Sequence, residues 1–133
     1  MRVEKIVTQI KKRRLLGNHV FVCGNGGSAA NAEHFTNDLF SKGVKAHCLN
    51  SNTAIITMIA NDFGYEYIFS KQLEVFYESG DLVVLISNSG ISENIVEAMK
   101  LDVSTIRIFG GEGTPGDMEN AHQKLLHKVC EML

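Results

Sequence analysis

The sequence feature that most constrains the fold is an unbroken apolar run between Asp81 and Ser87, with the residues Leu-Val-Val-Leu-Ile between them. A strand that is apolar on both faces is typical of a parallel sheet covered by helices on each side. Shorter or weaker runs at 19–23, 45–49 and 104–109 predict three more strands. Segments with helical spacing separate these runs, so the alternation predicts an α/β fold, a doubly wound parallel sheet with helices on both faces.

The helices are predicted from apolar residues that recur at helical spacing. We expect them at 1–16, 28–40, 53–60, 65–77, 92–100 and 117–133. Ser92 is expected to cap the fifth of these helices, and a loop from Gly110 to Gly116 precedes the last. The chain of 133 residues has no internal repeat or linker, so residues 1–133 are predicted to form a single domain.

Composition excludes several classes of protein. No apolar run approaches the roughly 18–20 residues that span a bilayer, so we expect no membrane segment, and the first residues do not resemble a secretory signal. A net charge of −2 and an aromatic content of 8% argue against a nucleic-acid-binding protein. Three cysteines, Cys23, Cys48 and Cys130, lack CxxC spacing, which favours reduced thiols and a cytoplasmic location.

Two loops follow predicted strands and lead into helices, which is where a doubly wound fold binds its ligand. The glycine loop is Cys23–Ser28, with the sequence CGNGGS, and the serine loop is Ser87–Ser92, with the sequence SNSGIS. Glycines let backbone N–H groups approach an anion, and small hydroxyl and amide side chains can hold a phosphate without cations. Either loop could instead be a tight turn that caps a helix. The two loops together favour an anion site.

Histidines and acids that could bind a metal or move protons occur on two predicted helices. His34 and Asp38 are four residues apart and therefore share one helical face. Glu119, His122 and His127 lie on the last helix, and the residues alone do not decide which histidine is a ligand. Imidazoles and carboxylates are zinc ligands, but a His–Asp pair at this spacing is also a common surface ion pair. Only convergence of the two helices would make a site.

The motifs around these residues resemble the SIS (sugar isomerase) domain family and, more narrowly, the phosphoheptose isomerases. The resemblance is carried by residues 22–35, 59–66, 69–72, 80–92 and 119–127. It implies a SIS-type, flavodoxin-like three-layer sandwich and a homotetramer with sites at subunit interfaces. It also implies a small-molecule sugar-phosphate substrate: isomerisation of sedoheptulose 7-phosphate to D-glycero-D-manno-heptose 7-phosphate, a precursor of lipopolysaccharide or capsule heptose.

The resemblance further implies roles for individual residues. It places the catalytic carboxylate base at Asp38 and the proton-transferring histidine at His127. One zinc ion (Zn²⁺) per site would be held by His34, Asp38, Glu119 and His127. The positions that match substrate contacts are Asn25, Gly26, Gly27, Asp38, Asn61, Asp62, Ser87, Asn88, Ser89, Ser92 and Glu119.

This chain departs from the family's pattern at several positions. Asp38 stands where many members carry Glu, Glu119 where many carry Gln, and Asn88 where Thr is commoner. The chain is also short, with residues missing after Gly43 and no final strand after Phe109. Two other functions therefore stay open: a non-catalytic SIS module that binds a phosphosugar or a protein partner, and an interaction scaffold whose glycine loops are only turns.

The apolar residues of the first and last helices predict a homo-oligomer. We expect both helices to bury these faces against neighbouring subunits. On the last helix the residues concerned are Leu125, Leu126, Val129, Cys130 and Leu133.

Overall fold

The four apolar runs form one parallel sheet in the computed structural model, which describes residues 2–133. The strands are β1 (His19–Gly24), β2 (Lys45–Cys48), β3 (Leu82–Ser87) and β4 (Thr105–Phe109), in the order β2-β1-β3-β4. All three pairings are parallel, and Gly24 at the end of β1 pairs with Ile86 of β3. The strand order reverses between β1 and β3, so the loops that follow these two strands flank a switch point, where such folds bind ligands.

Six helices cover the two faces of the sheet, which confirms the doubly wound α/β fold. They are α1 (Arg2–Leu16), α2 (Gly27–Ser41), α3 (Thr53–Asp62), α4 (Ser70–Phe76), α5 (Glu93–Met99) and α6 (Pro115–Glu131). Helices α1, α2 and α6 share one hydrophobic core with Val20 and Val22, whereas α3, α4 and α5 share the other with Phe21 and Cys23. The alternation of β1 side chains between two cores explains why this strand is apolar throughout.

The predicted helix bounds were wrong at 65–77 and on the last helix, and α3 runs two residues beyond its predicted end at residue 60. The helix expected at 65–77 is a 3₁₀ turn at Tyr65–Tyr67 followed by α4, because short bonds such as Ile68 N–H to Tyr65 O replace the α-helical pattern. The last helix begins two residues earlier than expected. Thr114 and Asp117 form a capping box there, and a proline fits the first helical turn because it lacks an N–H that would go unused.

The apolar faces of α1 and α6 are buried within their own chain. The prediction that they pack against neighbouring subunits was therefore wrong. Leu126 and Val129 of α6 are buried in the same core as Ile6 and Ile10 of α1. The partly buried Leu125 and Leu133, and the buried Cys130, also pack there. The two helices use these faces to cover the sheet of their own chain. The large apolar side chains that stay exposed are others, including Leu15, Phe40, Val75 and Ile91.

The three cysteines are free thiols. Burial raises the pKa of Cys130 to about 12, and it also raises the pKa of Cys23 and Cys48. A thiol with a raised pKa stays protonated at neutral pH and is a poor nucleophile. Among the helices of residues 2–133, none combines the length and apolar character needed to cross a membrane.

The close approach of β1 to the start of α2 predicts that Gly24→Ala is strongly destabilising. A β-carbon at Gly24 would lie 2.8 Å from the Ile86 carbonyl oxygen and 2.8 Å from the Ser28 backbone, neither of which is a flexible side chain. We expect a loss of about 2–3 kcal/mol in the free energy of unfolding, measured by urea titration. Gly116→Ala is the matched control: it meets only the Thr114 hydroxyl at 3.8 Å and lies in a helix, so it should stabilise by up to about 1 kcal/mol. Equal stabilities for the two variants would contradict this account.

Candidate active site

The glycine loop and the helix after the serine loop are joined by a pair of asparagine side chains. Each of Asn25 and Asn94 donates Nδ2–H to Oδ1 of the other, and both N···O distances are 2.8 Å. Asn94 is buried, and the Tyr65 hydroxyl donates a further bond of 3.2 Å to Asn25 Oδ1. The sequence reasoning missed Asn94 and Tyr65. The available signal for Asn94 was its position four residues before Ala98, which puts a polar side chain on the core face of α5.

The serine loop is braced by its own hydroxyl groups. Ser87 Oγ accepts the Gly90 N–H at 2.9 Å, and Ser89 Oγ accepts the Ile91 N–H at 3.2 Å. Because each hydroxyl uses a lone pair in this way, its proton is still available to a ligand. Ser92 is the N-cap residue of α5, as predicted, but its side chain makes no capping bond. The half-exposed Ser92 and the exposed Ser89 therefore offer hydroxyl donors to a ligand.

A cavity of about 330 Å³ lies between the two loops. Its lining residues are Asn25, Tyr65, Glu66, Ser92, Glu93 and Asn94. Two carboxylates and two amides suit the hydroxyl groups of a sugar, since carboxylates accept hydrogen bonds and amides both donate and accept. Asn61 and Asp62 are exposed at the end of α3, where the Asn61 amide donates to Asp62 Oδ1 at 3.0 Å, and they do not line this cavity.

The connection between β4 and α6 is held against the serine loop by two side chains. Buried His122 contacts the Gly110 carbonyl oxygen through Nε2 at 2.6 Å, and Asn88 Nδ2 donates to the Pro115 carbonyl at 3.4 Å. Within residues 2–133, Asn88 Oδ1 and His122 Nδ1 are the buried side-chain polar atoms without a partner. Ordered water or a ligand normally satisfies such atoms. Buried His122 therefore anchors this connection to α6.

His34, Asp38 and His127 converge on one point between α2 and α6. Asp38 Oδ2 lies 3.4 Å from His34 Nε2 and 3.8 Å from His127 Nε2, and the two imidazole nitrogens are 3.2 Å apart. Ligands bonded at about 2.1 Å to a tetrahedral ion are about 3.4 Å from one another. The three observed separations, 3.2–3.8 Å, are close to this value, so the three side chains could hold a metal ion. Among the described residues, this is the group of His, Cys, Asp and Glu side chains able to hold a metal ion.

Glu119 lies elsewhere on α6 and is not part of this group. A β-carbon at Gly27 would lie 1.7 Å from Glu119 Oε2, so the carboxylate packs directly over that glycine at the start of α2. Asn31 Nδ2 donates to the Glu119 carbonyl oxygen at 3.0 Å and fixes this end of α6 against α2. Glu119 precedes His127 by eight residues, which corresponds to about 12 Å along the helix axis.

Comparison with known proteins identifies the family. A family model for the SIS domain matches residues 1–101, about three quarters of the chain. The chain belongs to the SIS domain family. A phosphoheptose isomerase of Campylobacter concisus is 33% identical over an alignment of 141 positions, gaps included, that covers 86% of this chain and 75% of that protein. A probable phosphoheptose isomerase of Thermoplasma acidophilum is 34% identical over an alignment of 162 positions that covers 100% of this chain and 89% of that protein.

The SIS fold is closely similar in a solved relative. A phosphoheptose isomerase from Neisseria gonorrhoeae superposes with a TM-score of 0.93 at 27% identity, over 98% of this chain and 83% of that one. The alignment with the Thermoplasma acidophilum protein has more positions than this chain has residues, so the relative carries segments that this SIS domain lacks. The high TM-score means that the missing segments leave the shared core of the fold in place.

The asparagine pair of this SIS domain predicts strong coupling between Asn25 and Asn94. Asn94→Ala removes the two hydrogen bonds between the amides of Asn25 and Asn94 and leaves Asn25 with the Tyr65 hydroxyl. It should lower the free energy of unfolding by about 1–3 kcal/mol. Adding Asn25→Ala to that variant should cost less than Asn25→Ala costs alone, since the partner is already gone. Urea titration of both single variants and the double variant measures this difference. Strictly additive losses would show that the two amides do not depend on each other, and exposed Asn120→Ala is the control, with a change below about 0.5 kcal/mol.

Proposed function

We propose that this SIS domain, acting as one domain over residues 1–133, is a metal-dependent sugar-phosphate isomerase that interconverts sedoheptulose 7-phosphate and D-glycero-D-manno-heptose 7-phosphate. The observation that carries the proposal is the convergence of His34, Asp38 and His127, at separations that match a tetrahedral ion. A passive binding module has no need for such a group. The phosphoheptose isomerases among its relatives, at about one third identity over most of the chain, support the choice of substrate.

We assign the metal to zinc, held by His34, Asp38 and His127. Two neutral imidazoles and a carboxylate are ligands that zinc prefers. When bound, the ion supplies positive charge next to the substrate oxygens on which negative charge develops. The resemblance adds Glu119 as a fourth ligand, which in this chain requires movement of its carboxylate away from Gly27.

The serine loop is assigned to the phosphate, and the cavity beside it to the sugar chain. Ser89 and Ser92 can donate hydroxyl protons to phosphate oxygens, and Ser87 holds the loop in shape through Gly90. Glu119 covers the start of α2 with a negative charge, which disfavours a second anion at the glycine loop. Asn25, Gly26 and Gly27 would therefore contact the uncharged part of the substrate, as would Asn61 and Asp62 at the positions that the family uses. Asn88 would join the serines of its loop at the phosphate.

The reaction needs one base and one acid. Asp38 removes a proton from the hydroxyl-bearing carbon next to the ketone, and the electron pair of the broken C–H bond forms the double bond of an enediol. His127 donates a proton to the ketone oxygen as that oxygen gains charge. The proton taken by Asp38 is then returned to the neighbouring carbon, while the first hydroxyl loses its proton to His127 and becomes the aldehyde. Each of the two groups typically contributes 10²–10⁴-fold to such a step.

We further propose a homotetramer in the cytoplasm, with each site made by more than one subunit. His34 is seven residues beyond Gly27, so the metal group lies about 10 Å along α2 from the glycine loop of the same chain. It is also on the outer side of the helix layer, where His34 and His127 are half exposed. A neighbouring subunit can bring its serine loop to this surface. The exposed Leu15, Phe40 and Ile91 are candidates for the contact, and the protonated buried thiols suit a reducing compartment.

Substitution of the proton-transferring groups tests the proposed chemistry. In deuterated water, with zinc supplied, the protein should convert sedoheptulose 7-phosphate into an aldose that carries deuterium on the carbon next to the carbonyl. Asp38→Asn and His127→Ala should each lower kcat at least about 100-fold. Asn37→Ala, an exposed neighbour on α2, is the matched control and should keep wild-type activity. Absence of both product and deuterium exchange in the wild-type protein would refute the function.

Mixing two inactive variants tests whether a site is shared between subunits. One variant carries His127→Ala in the metal group, and the other carries Ser89→Ala and Ser92→Ala in the serine loop. If the two parts of a site come from different chains, mixed oligomers contain some sites with neither substitution and regain activity. Multi-angle light scattering should show a tetramer at micromolar concentration. A monomer, or no recovered activity in mixed oligomers verified by mass spectrometry, would contradict a shared site.

A further inference from the structure

A cavity of about 490 Å³ lies between α1 and the amino ends of β3 and β4, and its volume is in the usual range of ligand pockets. Leu82, the first residue of β3, is part of its lining. Ser87, where the serine loop begins, is five residues further along the strand, which corresponds to about 16 Å. None of the lining residues has a role in the proposed function. We call this space the basic cavity, after the cations Arg2, Lys5 and Arg13 in its lining.

The charges in the lining of the basic cavity all have the same sign. Among residues 2–133, no Asp or Glu lines it, although the whole chain has a net charge of −2. Ser104 and Thr105 add hydroxyl groups that can donate hydrogen bonds. Like charges that share a cavity repel one another, and an anion between them offsets that repulsion. The lining therefore favours an anionic ligand.

The buried guanidinium of Arg13 is an independent indication of an anion. Arg13 is only 7% exposed, and its side chain cannot lose its charge in a protein. Its Nε–H donates to the Gly80 carbonyl oxygen at 3.1 Å, and its Nη1–H groups donate to Gln9. No carboxylate of the described chain pairs with it, and the buried Asp81 accepts backbone N–H groups instead. A buried charge without a counter-charge lowers stability, so an anion bound at Arg13 would be favourable.

Arg2 is already held at the edge of the basic cavity. Its Nη2 donates to the Arg107 carbonyl oxygen at 2.7 Å, on the strand at the end of the sheet. The other N–H groups of this guanidinium can still bind a ligand. Lys5 follows three residues later and therefore lies on the same face of α1. A side chain that is held in place before binding loses less freedom when the ligand arrives, which favours affinity.

We propose that the basic cavity binds a small organic diphosphate, such as a nucleoside diphosphate. Guanidinium groups bind phosphate oxygens through two parallel N–H bonds, and the Lys5 ammonium adds a compact charge that also suits phosphate. A single phosphate group carries about −1.5 to −2 charges near neutral pH, so three cations match two phosphate groups better than one. This ligand differs from the substrate of the proposed isomerase, whose single phosphate is assigned to the serine loop.

The apolar part of the lining suits the organic part of such a ligand. Ile6, Leu82 and Ile106 line the basic cavity beside the cations. Ile6 and Leu82 are buried in the core shared by α1 and the sheet, so they form a fixed surface. Contact with this surface removes apolar area of the ligand from water and adds to the affinity of the phosphate contacts. An inorganic anion has no apolar area to bury there.

Calorimetric titration with inorganic pyrophosphate and with ADP tests the proposal without an enzyme assay. The wild-type protein should bind pyrophosphate, and it should bind ADP at least as tightly. Arg2→Gln and Lys5→Gln should each weaken the binding of both probes at least about 10-fold, because each removes a charge-assisted hydrogen bond. Lys11→Gln is the matched control. This exposed lysine of α1 is outside the lining, so its substitution should change the affinity less than about 2-fold.

Two further variants locate the bound anion. The double variant Ser89→Ala and Ser92→Ala should bind pyrophosphate as the wild type does, since it lacks only hydroxyl groups of the serine loop. Arg13→Lys keeps the charge but not the planar guanidinium, and it should weaken binding. Circular dichroism establishes that each variant is folded.

The proposal is supported if the losses are confined to substitutions in the basic cavity. It is overturned if pyrophosphate does not bind at millimolar concentration, if the serine-loop variant is the one that loses binding, or if Lys11→Gln weakens binding as much as Lys5→Gln does. ADP that binds more weakly than pyrophosphate would overturn the assignment to an organic ligand. None of these readouts depends on isomerase activity, so failure of the proposed function and failure of this inference are distinguishable.

Discussion

The register between α2 and α6 is the constraint on which the rest of the site depends. Both helices follow strands of one parallel sheet and cover the same face, so they run in the same direction. Buried apolar residues such as Phe35 and Leu126 hold them together, and the bond from Asn31 to the Glu119 carbonyl fixes their relative position along the axis. A shift of one turn would move His127 by about 5.4 Å and separate it from Asp38. Ordinary core packing therefore brings the exposed imidazoles and the carboxylate together.

Under the proposed function, substrate recognition and proton transfer are divided between two places in the chain. The carboxyl edge of the sheet carries the serine loop and the cavity bounded by Asn25 and Asn94, whose lining has two carboxylates and no histidine. His34, Asp38 and His127, to which we assign the chemistry, lie on the outer surface of the α2–α6 layer, about two turns from that edge. Such a division explains why a short SIS domain would act as an oligomer. Each chain carries both parts, but they lie apart. A neighbouring subunit can bring its serine loop to the surface that holds His34, Asp38 and His127.

Sequence patterns predicted most of the fold because its strands and helices are strongly apolar and bounded by glycine or polar residues. They failed where geometry is set by tertiary contacts, as at 65–77, where the chain forms a 3₁₀ turn before α4. They also assigned the apolar face of α6 to a neighbouring subunit, since periodicity cannot tell one buried surface from another. The i, i+4 spacing predicted that His34 and Asp38 share a helical face. The choice between His122 and His127 as the metal ligand needed coordinates, which show His122 buried and bonded to Gly110 and His127 beside His34 and Asp38.

The measurement that tests this account most directly is an anomalous difference map, collected at the zinc edge from crystals of the zinc-loaded protein. The account predicts one strong peak per chain, within bonding distance of His34 Nε2, Asp38 Oδ2 and His127 Nε2. A peak elsewhere in the chain, or no peak at full zinc occupancy of the solution, would contradict the claim that these side chains form a metal-dependent active site.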